Sequence, residues 1–198
     1  MRISHDGRQV AANPDDDIWI YDVATGNPNR LTREMDLGLW AVGLVWSWHD
    51  DHLLSLVWPS GGVLARLRDY SVSGGPAREL DIKADIYEAT DWSSDGRYLL
   101  IDQNEPNSDS TDPAYYDFSD KSLRPFLSTP AIESSGILSP DGHWIAYVSN
   151  TTDSFEVYVQ PFPEGGKEKR VSFTGGMHPR WCRDGKKLMI SNCFGGAG

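Results

Sequence analysis

Four groups of residues in this chain have types and spacings that could do chemistry. The run His49-Asp50-Asp51-His52 sets four metal-ligating side chains in a row. Zinc draws ligands that converge from separate elements, whereas neighbours on a strand point to opposite faces, so the run reads as a turn. Asp15-Asp16-Asp17 offers oxygen ligands to calcium but reads first as a plain acidic loop ahead of a strand. The segment from Asp102 to Asp112, rich in Asn, Ser and Asp, lacks the Gly required at the sixth position of an EF-hand loop and reads as a long solvent loop. Asp6, Asp95, Asp141 and Asp184 recur at equivalent places. An active site is one asymmetric cluster, so a carboxylate repeated once per unit serves the unit. Gly-x-Ser-x-Gly, His-Glu-x-x-His and Gly-Lys-Ser/Thr motifs do not occur. The sequence thus assigns no catalytic residue, no metal site and no cofactor.

The repeated carboxylate belongs to a longer phrase: an apolar residue, Ser, any residue, Asp, Gly, a basic residue, then an apolar strand. Its five copies begin at Ile3, Trp46, Trp92, Leu138 and Trp181. The fourth column falls at positions 6, 49, 95, 141 and 184, in steps of 43, 46, 46 and 43. A period in the forties with one Asp-Gly hairpin per unit marks a β-propeller of four-stranded blades. Asp bonds the amides just ahead of it, and Gly tolerates the positive φ of a tight hairpin. The second copy has His49-Asp50 instead of Asp-Gly, so its turn is expected to be the least regular. The last copy carries Cys182 in the Ser column.

After each turn runs an apolar strand, then a third strand such as Ile18–Asp22 or Phe155–Val159, then a turn and a short outer strand. The fold expected is therefore all-β: a partial propeller of about four complete antiparallel four-stranded blades plus half a blade. Blades fall near 1–36, 37–82, 83–128 and 129–174, with the half blade at 175–198 of a single unit. No stretch of eighteen apolar residues exists to span a membrane. The chain enters its first repeat at Met1-Arg2-Ile3, leaving no room for a signal peptide. A net charge of −11 repels phosphate backbones, which argues against a nucleic-acid partner. Cys182 and Cys193 lie at opposite ends of a hairpin strand, roughly 20 Å apart at ~3.3 Å per residue, too far for a disulfide.

The stretch Leu138-Ser139-Pro140-Asp141-Gly142-His143-Trp144-Ile145-Ala146-Tyr147-Val148-Ser149-Asn150, with Glu156–Pro163 and Gly175–Trp181, resembles the TolB-like, WD-repeat-like propeller. It is most similar to the version carried behind the kinase domain of many bacterial serine/threonine protein kinases. Asp17–Asp22 through Thr32 fits as well, so the likeness covers nearly the whole chain, least well in the second blade. The resemblance implies an interaction or sensor module, in a family found mostly outside the cytoplasm and usually built of six or more blades. The kinase domain itself is missing: no His-Arg-Asp, no Asp-Phe-Gly, no Gly-rich loop followed by a strand lysine. The closing half blade and at least one further blade are missing too.

The segments leading into the inner strands are expected to ring one mouth of the central channel. Trp40, Tyr87, Glu133, Met177 and His178 stand there and differ in chemistry from blade to blade, as a recognition surface must. The function expected is a non-enzymatic binding module for a protein or peptide. Rival readings are a propeller lyase or hydrolase and a truncated piece of a larger kinase or peptidase propeller. An open stack of blades also exposes strand edges, so self-association is expected.

Overall fold

A computed structural model describes residues 1–33, 39–59, 65–82, 84–104 and 110–192, with Trp40 and Val42 described in backbone only. Strands β1 (Arg2–Ile3), β2 (Gln9–Ala12), β3 (Trp19–Asp22) and β4 (Pro28–Arg30) pair antiparallel in sequence order. The same meander is repeated by β5 (Leu39–Trp46), β6 (His52–Pro59), β7 (Arg66–Ser71) and β8 (Arg78–Leu80). It recurs in β9 (Ile86–Trp92), β10 (Tyr98–Asn104), β11 (Thr111–Asp117) and β12 (Ser122–Pro125), and in β13 (Glu133–Leu138), β14 (Trp144–Ser149), β15 (Glu156–Pro161) and β16 (Lys169–Arg170). A two-stranded sheet, β17 (Met177–Trp181) with β18 (Leu188–Ser191), forms the half blade. The fold is a partial β-propeller.

The core lies between the blades, as three apolar layers. Leu53 and Val57 pack toward the first blade with Ala11, Ile18 and Ile20, while Leu54 and Leu56 pack toward the third with Leu99 and Ile101. Leu100, between those two, faces the fourth blade with Ile145, Tyr147 and Phe162. The strand after each turn is therefore apolar on both faces, which is why it reads as an unbroken hydrophobic run. Each such Leu contributes about 1.5–3 kcal/mol on burial.

Two expectations are corrected. Asp102 and Asp112 are not in a solvent loop: they lie on β10 and β11, paired with Pro113 and Gln103, and both are buried. Asp102 and Thr111 are directed at the next blade, where Asp102 Oδ2 accepts the Ser135 N–H at 2.8 Å and Thr111 Oγ1 donates to the Glu133 carbonyl at 2.9 Å. Ile3, expected inside, is 61% exposed, because β1 lies in the first blade, whose other face carries no neighbouring blade among the described residues. Cys182 is a free thiol, and Cys193 lies outside the described residues.

Candidate functional site

The turns set the site's frame. Ser4 accepts the Gly7 N–H on its carbonyl at 3.0 Å and the Gln9 N–H on its hydroxyl at 2.9 Å, while the hydroxyl donates to Asp6. Asp6 in turn accepts the Arg8 N–H at 2.9 Å. Ser93 with Asp95 and Ser139 with Asp141 repeat the pattern. The Arg8 amide and Ser4 hydroxyl hold Asp6 below the usual carboxylate range, and the Ser139 hydroxyl and His143 amide do the same for Asp141. These carboxylates are ionised and engaged by their own turns.

The second turn was expected to be irregular, yet its backbone closes like the others, with the Asp50 N–H donating to the Ser47 carbonyl at 3.0 Å. Asp50 takes the glycine's left-handed place at φ 58°, a conformation Asp tolerates better than most residues. Asp51 becomes the acceptor for Ser47. That leaves the Asp50 carboxylate to reach the first blade, where it accepts the His5 N–H at 2.7 Å and the Asp6 N–H at 2.9 Å. His52 pairs with Asp69 at 2.7 Å. The His49–His52 run thus diverges into three separate contacts. Among the described residues no group of three or more His, Cys, Asp or Glu side chains is placed to hold a metal.

Along the axis a cavity of about 590 Å³ runs from the middle of the inner strands to the turns. Two columns of the repeat line it. One is the residue before the apolar column: Arg2, Val45, Asp91, Ile137 and Arg180. The other is the unrestricted residue after Ser: His5, Trp48, Ser94, Pro140 and Arg183. A β-bulge precedes the first column, with Gly43, Ser135 and His178 at φ 63°, 59° and 49° and register shifts in β5, β9, β13 and β17. Such a bulge re-aims the residues that follow it. Neighbouring inner strands are tied at this level: the Trp46 indole donates to the Arg2 carbonyl at 3.0 Å, and the Leu138 N–H donates to Asp91 Oδ2 at 2.7 Å.

Charge in the cavity is unevenly satisfied. Asp91 is pushed up by loss of water around its carboxyl, against the pull of the Leu138 N–H. Arg180 is pulled down by desolvation and next by the charge of Arg2, and among the described residues its guanidinium donates only to the neighbouring Pro179 carbonyl, at 2.8 Å. Arg2 lies 3.6 Å from Glu88.

Of the residues expected to form a mouth, Tyr87, Glu133, Met177 and His178 stand at the opposite ends of the inner strands and do not line this cavity. Tyr87 is 60% exposed on β9. Glu133 is buried, its carboxylate accepting the Thr129 hydroxyl at 2.7 Å and the Ser149 hydroxyl at 2.9 Å, so it is engaged within its own blade. Met177 is half-buried, and His178 is exposed with Nδ1 3.1 Å from Ser191 Oγ. Trp40 lies on β5, with its side chain outside what the structure describes. The two lining columns were missed. Their signal was variation at the open position inside an otherwise constant phrase and at the residue just ahead of it.

The sequence matches no family model and no curated protein sequence. Solved structures share its architecture. A TolB-type structure from Agrobacterium tumefaciens superposes with a TM-score of 0.82 at 16% identity, over 96% of this chain and 67% of that one. The Cps50 (Swd1) β-propeller domain of Myceliophteria thermophila gives 0.67 at 14% identity, over 96% and 61%. The oligogalacturonate lyase of Vibrio parahaemolyticus gives 0.70 at 13%, over 94% and 56%. The chain therefore has the fold of a TolB-like, WD-repeat-like β-propeller module, and it spans roughly three fifths of two of these relatives and two thirds of the other.

Proposed function

We propose that the chain is a non-enzymatic binding module that takes a protein or peptide segment into the turn-side end of its channel. The observation that carries this is the cavity, whose wall carries two variable columns beside the constant apolar and Ser columns of the repeat. Variation confined to the walls of a concavity is what a recognition site on a repeat scaffold requires. The half-buried Trp48 indole lies between the first and second blades, 4.7 Å from the His5 ring, as an aromatic anchor for a side chain entering from the turn side.

A lyase or hydrolase reading needs a nucleophile or metal ligands converging on the cavity. Of the five histidines only His5 is among the residues described on the cavity wall, and the turn carboxylates are engaged by backbone amides. The test is to select peptides on the immobilised chain and titrate them calorimetrically. Trp48→Ala should weaken binding about ten-fold or more without lowering the melting temperature. Binding that ignores Trp48→Ala but is lost in Tyr87→Ala would move the site to the other mouth. Stoichiometric metal with turnover would replace the reading altogether.

A further inference from the structure

The proposal rests on the channel being the binding site and concerns what it selects. Every aspartate lining the cavity at the turns and strands already accepts backbone amides: Asp6 from Arg8, Asp50 from His5 and Asp6, and Asp91 from Leu138. Asp91, moreover, is shifted toward its neutral form by desolvation. The guanidiniums are in the opposite condition. Among the described residues neither Arg180 nor Arg183 forms an ion pair, and both side chains belong to exposed residues. Arg2, Arg180 and Arg183 line the same cavity, so the first blade and the half blade face one another here; Arg180 feels the like charge of Arg2 and, more weakly, the opposite charges of Asp91 and Glu88, and Arg183 acts on the charge of Asp6. Among the described residues the only carboxylate paired with Arg2 is Glu88, at 3.6 Å.

Guanidiniums whose donors no carboxylate among the described residues takes up can receive an anion. Guanidinium presents a planar fork matched to a carboxylate, and a bidentate pair fixes orientation as well as affinity. The overall charge of −11 does not prevent this, because exposed charges farther apart than ~10 Å are largely screened at 0.1 M salt. We propose that the turn-side cavity binds a peptide carboxylate, held between Arg180, Arg183 and Arg2, with Trp48 packing against the neighbouring part of the peptide. The carboxylate is either an acidic side chain or a chain terminus, and the probes separate these.

Three glycine-rich heptapeptides are the probes: one blocked at both ends with two central aspartates, its asparagine counterpart, and the asparagine peptide with a free C terminus. Titrated at 0.15 M salt, the aspartate peptide or the free-terminus peptide should bind about ten-fold tighter than the blocked neutral one, the size of one charge-assisted contact. Which of the two binds tighter identifies the source of the carboxylate. Arg180→Gln should erase most of that difference, with Arg183→Gln as a second variant, while the melting temperature stays within a few degrees of the parent. Arg180→Glu combined with Arg183→Glu should turn the preference toward a lysine-bearing version of the first peptide. Equal binding of the blocked neutral peptide, still weakened by Trp48→Ala, overturns the carboxylate preference and leaves the channel reading standing. No binding by any probe overturns both.

Discussion

Asp50 shows how one residue can hold two jobs when its neighbour takes over a third. It occupies the left-handed position of its turn, hands the Ser47 contact to Asp51, and clamps two amides of the preceding blade. Asp50→Gly keeps the turn and relieves the positive φ, a gain of about 0.5–1 kcal/mol, but loses hydrogen bonds to a charged group worth more. A net loss of about 1 kcal/mol in urea unfolding is expected. Asp102 makes a second residue-scale prediction. Its Oδ1 has no hydrogen-bond partner among the described residues, and burial raises its pKa to about 7 against the single Ser135 N–H bond. The native carboxyl then keeps its proton across a window, from near 4 to about 7, in which an unfolded one has lost it. The native state binds more protons there, so this group's contribution to stability falls as pH rises through that window and is flat above it. Asp102→Asn should remove that slope and raise stability at pH 8 by roughly 1–3 kcal/mol, read from urea unfolding between pH 5 and 8.

At the scale of the element, the hairpins were legible because turn chemistry and strand period agreed: Ser, Asp and Gly fix the turn, and apolar runs follow it. The extension of β10 and β11 was not legible. Asp102, Thr111 and Asp112 have the composition of a solvent loop, and only the inter-blade bonds to Ser135 and Glu133 show why Asp102 and Thr111 stand where they do. The inner-strand bulge was equally hidden, since Gly43, Ser135 and His178 share a backbone conformation but no side-chain type. This makes Ser135 and Gly43 opposite tests. Ser135→Gly should stabilise by about 0.5–1 kcal/mol, since glycine adopts φ 59° without strain. Gly43→Val, at φ 63°, should destabilise by more than ~1 kcal/mol, both read by thermal unfolding.

At the scale of the molecule, the period of 43 to 46 residues announced the ring, and the apolar column announced the layers between blades. The site was only half legible. Variation was sought upstream, at Tyr87, Met177 and their neighbours, whereas the variable residues on the cavity wall stand just ahead of the apolar column and just after the Ser of the repeat. A periodic pattern locates equivalent positions but does not say which end of a channel is open and lined. Among the described residues no strand pairs with the outer edge of β18, and that edge, with Met189 61% exposed on it, carries the self-association prediction. Light scattering of the 198-residue chain should show mass rising with concentration, and Met189→Lys should reduce it.

The most direct test of the account is to map a bound acidic peptide on the isotope-labelled chain by amide and indole chemical shifts. The account predicts that changes concentrate at His5, Trp48, Ser94, Arg180 and Arg183, around the turn-side end of the channel. Changes centred on Tyr87, Met177 and His178, or spread along the outer strands, would contradict it.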